Sequence, residues 1–188
     1  TVAASGTDNG AYVTLSLSSS EQTLESYPFA FELTFTYRLK DGALAFEQQY
    51  ANMSDEPMPV TAGFHPYFRA DRKHIAYETD ATRMLDYNDN ETKPFDGSLD
   101  LGAMVESAAL LNANAREIAF PVAGGAWARM TYSKAFRYVV LWSVQDKPFI
   151  CVEPWTALNG ALNRKEELLM VEPGKPLRLR LQLECETE

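Results

Sequence analysis

The clearest pattern in the chain is an alternation of apolar and polar residues, which is strongest over residues 29–39. Small, polar or charged residues separate the apolar positions, which are Phe29, Phe31, Leu33, Phe35, Tyr37 and Leu39. A period of two predicts a half-buried β-strand and not a helix. Asp41-Gly42 then predicts a hairpin turn, so we expect residues 43–50 to return as the partner strand.

Shorter segments predict further strands at residues 12–17, 117–121, 126–132, 138–142, 149–152, 168–171 and 177–183. Residues 60–68 form another apolar segment, and residues 75–85 show a weaker strand pattern. Residues 104–115 are the one segment in which we predict a helix. The remaining segments are polar and predict connections at residues 1–10, 18–25, 87–101 and 158–167. Within the first of these, residues 5–10, which include Asp8 and Asn9, are predicted to form a loop.

Taken together, the pattern gives roughly ten short strands joined by hairpins, with almost no helix. Such a pattern predicts an all-β fold, either an antiparallel β-sandwich or a barrel. No linker, repeat or low-complexity segment divides the chain, so residues 1–188 are predicted to form a single domain.

Charge and composition exclude several classes of partner. The formal net charge is −9 and Lys and Arg do not cluster, so we expect no nucleic-acid partner. No apolar run is long enough to span a bilayer and no signal peptide is evident, so we expect no membrane partner. Cys151 and Cys185 are the only cysteines, which favours a reduced, cytoplasmic setting.

Two apolar stretches each contain one ionisable side chain. His65 lies within Gly63–Phe68, and Glu153 lies within Cys151–Trp155. Imidazole exchanges protons near neutral pH, and a carboxylate among apolar neighbours is suited to act as a general base. Because sugar rings stack on aromatic faces, the pair and its aromatic neighbours suggest a carbohydrate site.

The order of these motifs resembles the aldose 1-epimerase (galactose mutarotase-like) family. The residues that carry the resemblance are Tyr27–Phe31, Tyr37–Leu39, Asn52–Pro59, Gly63–Phe68, Val139–Trp142, Phe149–Trp155, Asn159–Asn163 and Glu172–Gly174. The resemblance extends over nearly the whole chain and matches the C-terminal two-thirds of the family. It implies a large antiparallel β-sandwich of the galactose mutarotase-like type.

The resemblance also implies that the chain interconverts the α and β anomers of an aldose. In the family the histidine acts as general acid and the glutamate as general base, which corresponds here to His65 and Glu153. Their side chains are expected on one concave surface, with room for a pyranose between them. No metal ion or organic cofactor is expected, because the reaction is proton transfer alone.

One part of the family pattern has no match. Family members carry an N-terminal third whose arginine and second histidine contact the sugar, whereas His74 of this chain lies in a charged turn. We therefore expect the chain to lack that third and the sandwich to be incomplete at its N-terminus.

Further residues are candidates for substrate binding, and each has a structural alternative. Tyr67 and Trp155 would stack on the sugar or belong to the core. Arg69 would contact an anionic substrate such as a sugar phosphate, or be a solvated surface arginine. Asn159 would bind a sugar hydroxyl or shape its loop. Packing roles are predicted for Phe68, Trp142 and Cys151.

Two other functions remain open from the sequence. The first is a non-catalytic carbohydrate-binding module on the same sandwich, in which His65 and Glu153 have structural roles. The second is an interaction domain, because strand edges left exposed by a missing segment would allow pairing into a homodimer.

Overall fold

Two large antiparallel β-sheets dominate the computed structural model, which describes residues 1–7 and 10–187. In chain order the strands of the described residues are β1 (Val2–Gly6), β2 (Ala11–Ser18), β3 (Phe31–Lys40), β4 (Ala43–Asn52), β5 (Met58–Val60), β6 (Tyr67–Arg69), β7 (His74–Ala76), β8 (Arg83–Asp86), β9 (Glu91–Pro94), β10 (Ser98–Asp100), β11 (Ala108–Leu110), β12 (Glu117–Pro121), β13 (Ala126–Tyr132), β14 (Tyr138–Trp142), β15 (Phe149–Trp155), β16 (Leu169–Val171) and β17 (Leu177–Thr187).

Helices are few and short. Among the described residues they are α1 (Glu21–Ser26), α2 (Ala161–Arg164) and two single-turn 3-10 helices at Leu101–Ala103 and Ala123–Gly125. Within the described ranges, no helix has the length and apolar content needed to cross a membrane.

The first sheet has seven strands in the order β1-β2-β3-β4-β17-β13-β12. Its centre is the predicted hairpin, in which β3 and β4 pair continuously from Phe31 with Asn52 to Lys40 with Ala43. The turn between them places Asp41 at φ 51° and Gly42 at φ 79°. Two consecutive positive φ angles characterise the tight hairpin turn that matches strand twist, which explains the Asp-Gly sequence.

The second sheet has six strands in the order β6-β15-β14-β11-β8-β9, and two further pairs, β7 with β10 and β5 with β16, border the sheets. Aromatic rings connect the two large sheets. The ring centroids of Phe68 in β6 and Phe120 in β12 are 4.9 Å apart, and those of Phe64 and Phe46 in β4 are 5.5 Å apart. The core therefore lies between the sheets, and the predicted antiparallel β-sandwich is confirmed.

The helix predicted at residues 104–115 is wrong. Ala108–Leu110 instead form β11, which pairs with β14 on one side and β8 on the other. All three residues of β11 are fully buried. A strand covered on both faces shows no alternation, and its alanine and leucine residues favour helix by propensity alone.

The predicted connections are partly wrong as well. The loop predicted at residues 87–101 contains β9 and β10, and the strand predicted at 75–85 divides into β7 and β8. Each of these strands has three or four residues and is held by pairing with a partner, β9 with β8 and β10 with β7. Helix α2 interrupts the loop predicted at 158–167.

The N-terminal predictions also need correction. The polar segment at 18–25 contains most of α1, whose first turn is closed by a reciprocal capping box between Ser20 and Thr23. Residues 2–6 pair with β2 as β1, so the loop predicted there is wrong. The part of that prediction that concerns Asp8 and Asn9 lies outside the described residues.

Candidate active site

Strand pairing positions the two ionisable residues. The pairs that fix the register are Phe149–Arg69, Ile150–Phe68, Cys151–Tyr67 and, beyond Pro66, the isolated bridge Gly63–Trp155. This register places His65 directly opposite Glu153. Alternate residues of a strand face the same side of the sheet, so His65 and Glu153 share one face with Tyr67 and Cys151.

The side chains of His65 and Glu153 are in contact. Nε2 of His65 lies 3.3 Å from Oε1 of Glu153. The His65 side chain is 50% exposed, whereas that of Glu153 is 2% exposed. Charge-assisted N–H···O bonds are shorter, about 2.7–2.9 Å, so the pair is close without being locked into a strong hydrogen bond.

This contact corrects one expectation from the sequence. The residues do lie on one surface, but no pyranose fits between groups 3.3 Å apart. A sugar would have to approach the pair from the side on which His65 is exposed.

Burial controls the electrostatics of Glu153. Loss of solvent raises the pKa of its carboxyl to about 7, although hydrogen bonding by the Trp155 side chain acts in the opposite direction. The Oε2 atom is buried and has no hydrogen-bond partner among the described residues. A buried polar atom without a partner is costly, and such sites are often functional.

Aromatic rings surround the exposed side of His65. The Tyr67 ring stacks on the imidazole with centroids 5.1 Å apart, and Trp142 meets it edge-on at 5.7 Å. Tyr67 is 59% exposed and also contacts Phe149 at 4.8 Å. Trp142 packs against His65 and Phe149 but is only half-buried and lies outside the core cluster, whereas Phe68 lies in the core as predicted.

Trp155 and Asn159 line one open cleft. Its volume is about 450 Å³, and Gly63, Gly160 and Asn163 contribute to its walls. Gly63 touches the Trp155 indole so closely that a Cβ there would lie 2.8 Å from Cδ1. The glycine at the start of the histidine motif therefore permits the close approach of the indole to the strand.

Arg69 lies on the other side of the site. It is exposed and lines a second cleft of about 510 Å³ together with Tyr67, Asp71 and Cys185. Tyr67 therefore connects the His65–Glu153 pair to the cleft that contains Arg69.

Sequence reasoning assigned Cys151 to packing, and the residue is indeed fully buried and free. The structure also places its sulfur within 4.8 Å of the ligand atoms of His65 and Glu153. Burial, together with the nearby Glu153 carboxylate, raises the pKa of the Cys151 thiol to about 12. The positive charge of Lys73 acts in the opposite direction and lowers this pKa. The two-residue spacing of Cys151 and Glu153 in one strand was the signal that could have revealed this proximity.

Lys73 supports the adjoining end of β15 and was not singled out from the sequence. Its ammonium group donates to the Ser143 hydroxyl and to the Phe149 carbonyl, and it lies 5.1 Å from the centroid of the Phe149 ring. Lys73 thereby holds the residue that packs against Tyr67.

The site thus combines an imidazole and a carboxyl that can exchange protons, one partly exposed and the other buried, beside aromatic faces. This arrangement is suited to acid/base chemistry.

Comparison with known proteins identifies the class. The family model of aldose 1-epimerase matches residues 2–182, and the chain belongs to that family. Among curated relatives, the chromosomal protein LacX of Lactococcus lactis subsp. lactis is 28% identical, over 80% of this chain and 58% of LacX. The chain therefore spans a little over half the length of that relative.

Solved structures give the same fold. The Slr1438 protein from Synechocystis sp. PCC 6803 superposes with a TM-score of 0.94 at 33% identity, over 100% of this chain and 66% of that one. A galactose mutarotase-like protein from Clostridium acetobutylicum has a TM-score of 0.80 at 16% identity, with coverages of 100% and 66%. A galactose mutarotase related enzyme from Lactobacillus acidophilus has a TM-score of 0.77 at 19% identity, with coverages of 94% and 68%. The fold is the galactose mutarotase-like β-sandwich.

Proposed function

We propose that the chain catalyses interconversion of the α and β anomers of an aldose, with Glu153 as general base and His65 as general acid. The observation that carries this proposal is the 3.3 Å contact between a half-exposed imidazole and a buried carboxyl. Membership of the aldose 1-epimerase family supports it.

The chemistry matches the geometry of the pair. The hydroxyl oxygen O1 and the ring oxygen O5 of a pyranose are bonded to the same carbon, C1. An acid and a base in contact with each other can therefore reach both oxygens from one side of the sugar. A general base must lie within hydrogen-bonding reach of the proton that it removes. Because Glu153 is almost inaccessible, we propose that the His65 ring, which contacts its carboxyl, turns aside when a sugar binds.

In the proposed cycle, ionised Glu153 takes the proton of O1 while protonated His65 gives a proton to O5. The C1–O5 bond breaks, and the sugar opens to an aldehyde with a free O5 hydroxyl. Rotation about the C1–C2 bond presents the other face of the aldehyde. On closure, His65 recovers its proton from O5 and Glu153 returns its own to O1, so both groups are restored.

The surroundings of the pair suggest how a sugar would be held. We propose that a pyranose packs on the exposed Tyr67 ring and on Trp155, since aromatic faces and ring C–H groups pack well. The Asn159 side chain would bind a hydroxyl group in the cleft shared with Trp155. Arg69, exposed beside Tyr67, would contact an anionic group if the sugar carries one.

Polarimetry tests the proposal. Freshly dissolved α-glucose and α-galactose should mutarotate faster with the protein than in buffer alone. His65→Ala and Glu153→Ala should abolish the enhancement while circular dichroism shows an intact fold. His74→Ala and Glu172→Gln provide matched controls, since both side chains are exposed and lie in other parts of the structure.

Two outcomes would contradict the proposal. Unchanged rates in the His65 and Glu153 variants would remove these residues from the reaction. Saccharide binding by calorimetry, without any acceleration of mutarotation by the parent protein, would instead indicate the non-catalytic binding module.

A further inference from the structure

His65, Cys151 and Glu153 form a cluster with three different kinds of metal-binding atom. One ligand atom from each, an imidazole nitrogen, a thiol sulfur and a carboxylate oxygen, lies within 4.8 Å of both others. Cys151 and Glu153 both belong to β15, and His65 lies in the segment that pairs with this strand. Acid/base catalysis of anomer exchange uses only two of these side chains and gives Cys151 no chemical task.

The spacing is close to that of a tetrahedral zinc site. Zinc binds sulfur at about 2.3 Å and nitrogen or oxygen at about 2.0–2.1 Å, so adjacent ligand atoms lie about 3.3–3.6 Å apart. The separation of 3.3 Å between His65 Nε2 and Glu153 Oε1 already falls in that range. The largest separation in the cluster is at most 4.8 Å, so rotations of the Cys151 and His65 side chains would complete the geometry.

A second observation points to a ligand at the same place. The Glu153 side chain is 2% exposed, and its Oε2 atom has no hydrogen-bond partner among the described residues. A cation bound beside it would supply the missing partner and offset the cost of burying the carboxyl.

The donor set indicates which cation would bind. A thiolate and an imidazole favour zinc and related transition metals, whereas magnesium and calcium prefer oxygen ligands. A coordinating thiol is deprotonated by the ion itself, so a buried, protonated Cys151 does not prevent binding. Three protein ligands leave a fourth position open, which the half-exposed side of His65 provides for water.

We propose that His65, Cys151 and Glu153 form a binding site for a zinc-type divalent cation. The bound ion would occupy the imidazole nitrogen and the carboxylate oxygen, and would therefore inhibit anomer exchange. This second consequence rests on the proposed function, whereas the metal site itself does not.

Cobalt(II) is the probe for the site because a cobalt–thiolate bond gives a charge-transfer absorption band in the near ultraviolet. Titration of chelator-treated parent protein with cobalt should produce this band at one equivalent, and zinc should displace it. Cys151→Ala should abolish the band, and Glu153→Gln should weaken cobalt binding at least tenfold. The band should persist in the Cys185→Ser and His74→Gln controls, which alter the other cysteine and the other histidine.

Several results would overturn the metal site. They are a parent protein that gives no band, a band that survives Cys151→Ala, and a band lost in Cys185→Ser. Thermal unfolding of each variant checks the fold, and Glu153→Gln keeps the test valid if Cys151→Ala is unstable.

Polarimetry with and without zinc separates the two proposals. Zinc should slow mutarotation by the parent protein at least tenfold, and a chelator should restore the rate. Cobalt binding by a protein that never accelerates mutarotation would leave the metal site standing and refute the proposed enzyme. Protein that accelerates mutarotation but binds neither cobalt nor zinc would refute the metal site and leave the proposed enzyme standing.

Discussion

Replacing Glu153 by glutamine tests whether burial governs this carboxyl, and the change should be visible in stability as well as in catalysis. Glutamine has nearly the same shape but cannot ionise. The pKa of the Glu153 carboxyl rises from 4.5 to about 7 because the folded protein removes it from solvent. Each pKa unit corresponds to about 1.36 kcal/mol, so ionising Glu153 lowers the free energy of unfolding by about 3 kcal/mol.

The sign follows from which state ionises first. Below pH 4.5 the carboxyl is protonated in both folded and unfolded protein, and it contributes no pH dependence. Between pH 4.5 and 7 the unfolded chain ionises first, so rising pH favours unfolding. Above pH 7 both states are ionised, and the loss of stability is complete.

Urea denaturation of the parent and Glu153→Gln at a series of pH values measures the effect. The free energy of unfolding of the parent should fall by about 3 kcal/mol relative to Glu153→Gln between pH 4 and pH 8. Other titrating groups are shared by the two proteins and largely cancel in the difference. Glu172→Gln, which changes an exposed glutamate, should give a curve parallel to the parent. Parallel curves for Glu153→Gln as well would refute the reasoning.

Three further changes have definite expected outcomes. The value of kcat/KM for mutarotation should fall as pH decreases through about 7, because protonated Glu153 cannot act as a base; a flat pH–rate profile would contradict this. Gly63→Ala places a Cβ 2.8 Å from the Trp155 indole and should lower the free energy of unfolding by about 1–3 kcal/mol in urea melts. Asn52→Ala removes a buried amide that donates to the Val171 carbonyl at 2.8 Å and should cost about 1–3 kcal/mol by the same assay. Urea midpoints equal to the parent's would contradict these two expectations.

The fold was most predictable from sequence where one face of a strand meets the core and the other meets solvent. The alternation over residues 29–39 and the Asp41-Gly42 turn defined the central hairpin almost to its ends. Strands β12, β13 and β14 also begin and end where their patterns predicted. In these segments local sequence and tertiary burial favour the same structure.

Prediction failed where tertiary contacts override local preference. Ala108–Leu110 are buried on both sides between β8 and β14, so they carry no alternating pattern. Strands β9 and β10 are short and lie in a segment rich in turn-forming residues. Pairing with β8 in a local hairpin makes β9 a strand, and pairing with β7 makes β10 one. Helix α1 was missed for another reason, because its capping box uses Thr23 where the usual sequence signature has Glu or Gln.

The candidate site was predictable in part. The motifs around His65 and Glu153 identified both side chains, but their sequence separation concealed the register that joins them. The proximity of Cys151 and the position of Trp142 beside His65 depend on the neighbouring strands. The expectation of room for a sugar ring between the two groups was wrong, because the His65 Nε2–Glu153 Oε1 separation of 3.3 Å is too small.

The most direct test of the account is a double-mutant cycle on the mutarotation rate, measured by polarimetry for the parent, His65→Gln, Glu153→Gln and the double variant. Each single change should lower kcat/KM by about 100-fold or more, because each removes one of the two proton-transfer groups. The double variant should lose little more, since the two groups act as one unit. Single variants that retain the parent rate, or losses that multiply in the double variant, would contradict the proposed proton exchange between this pair and the sugar.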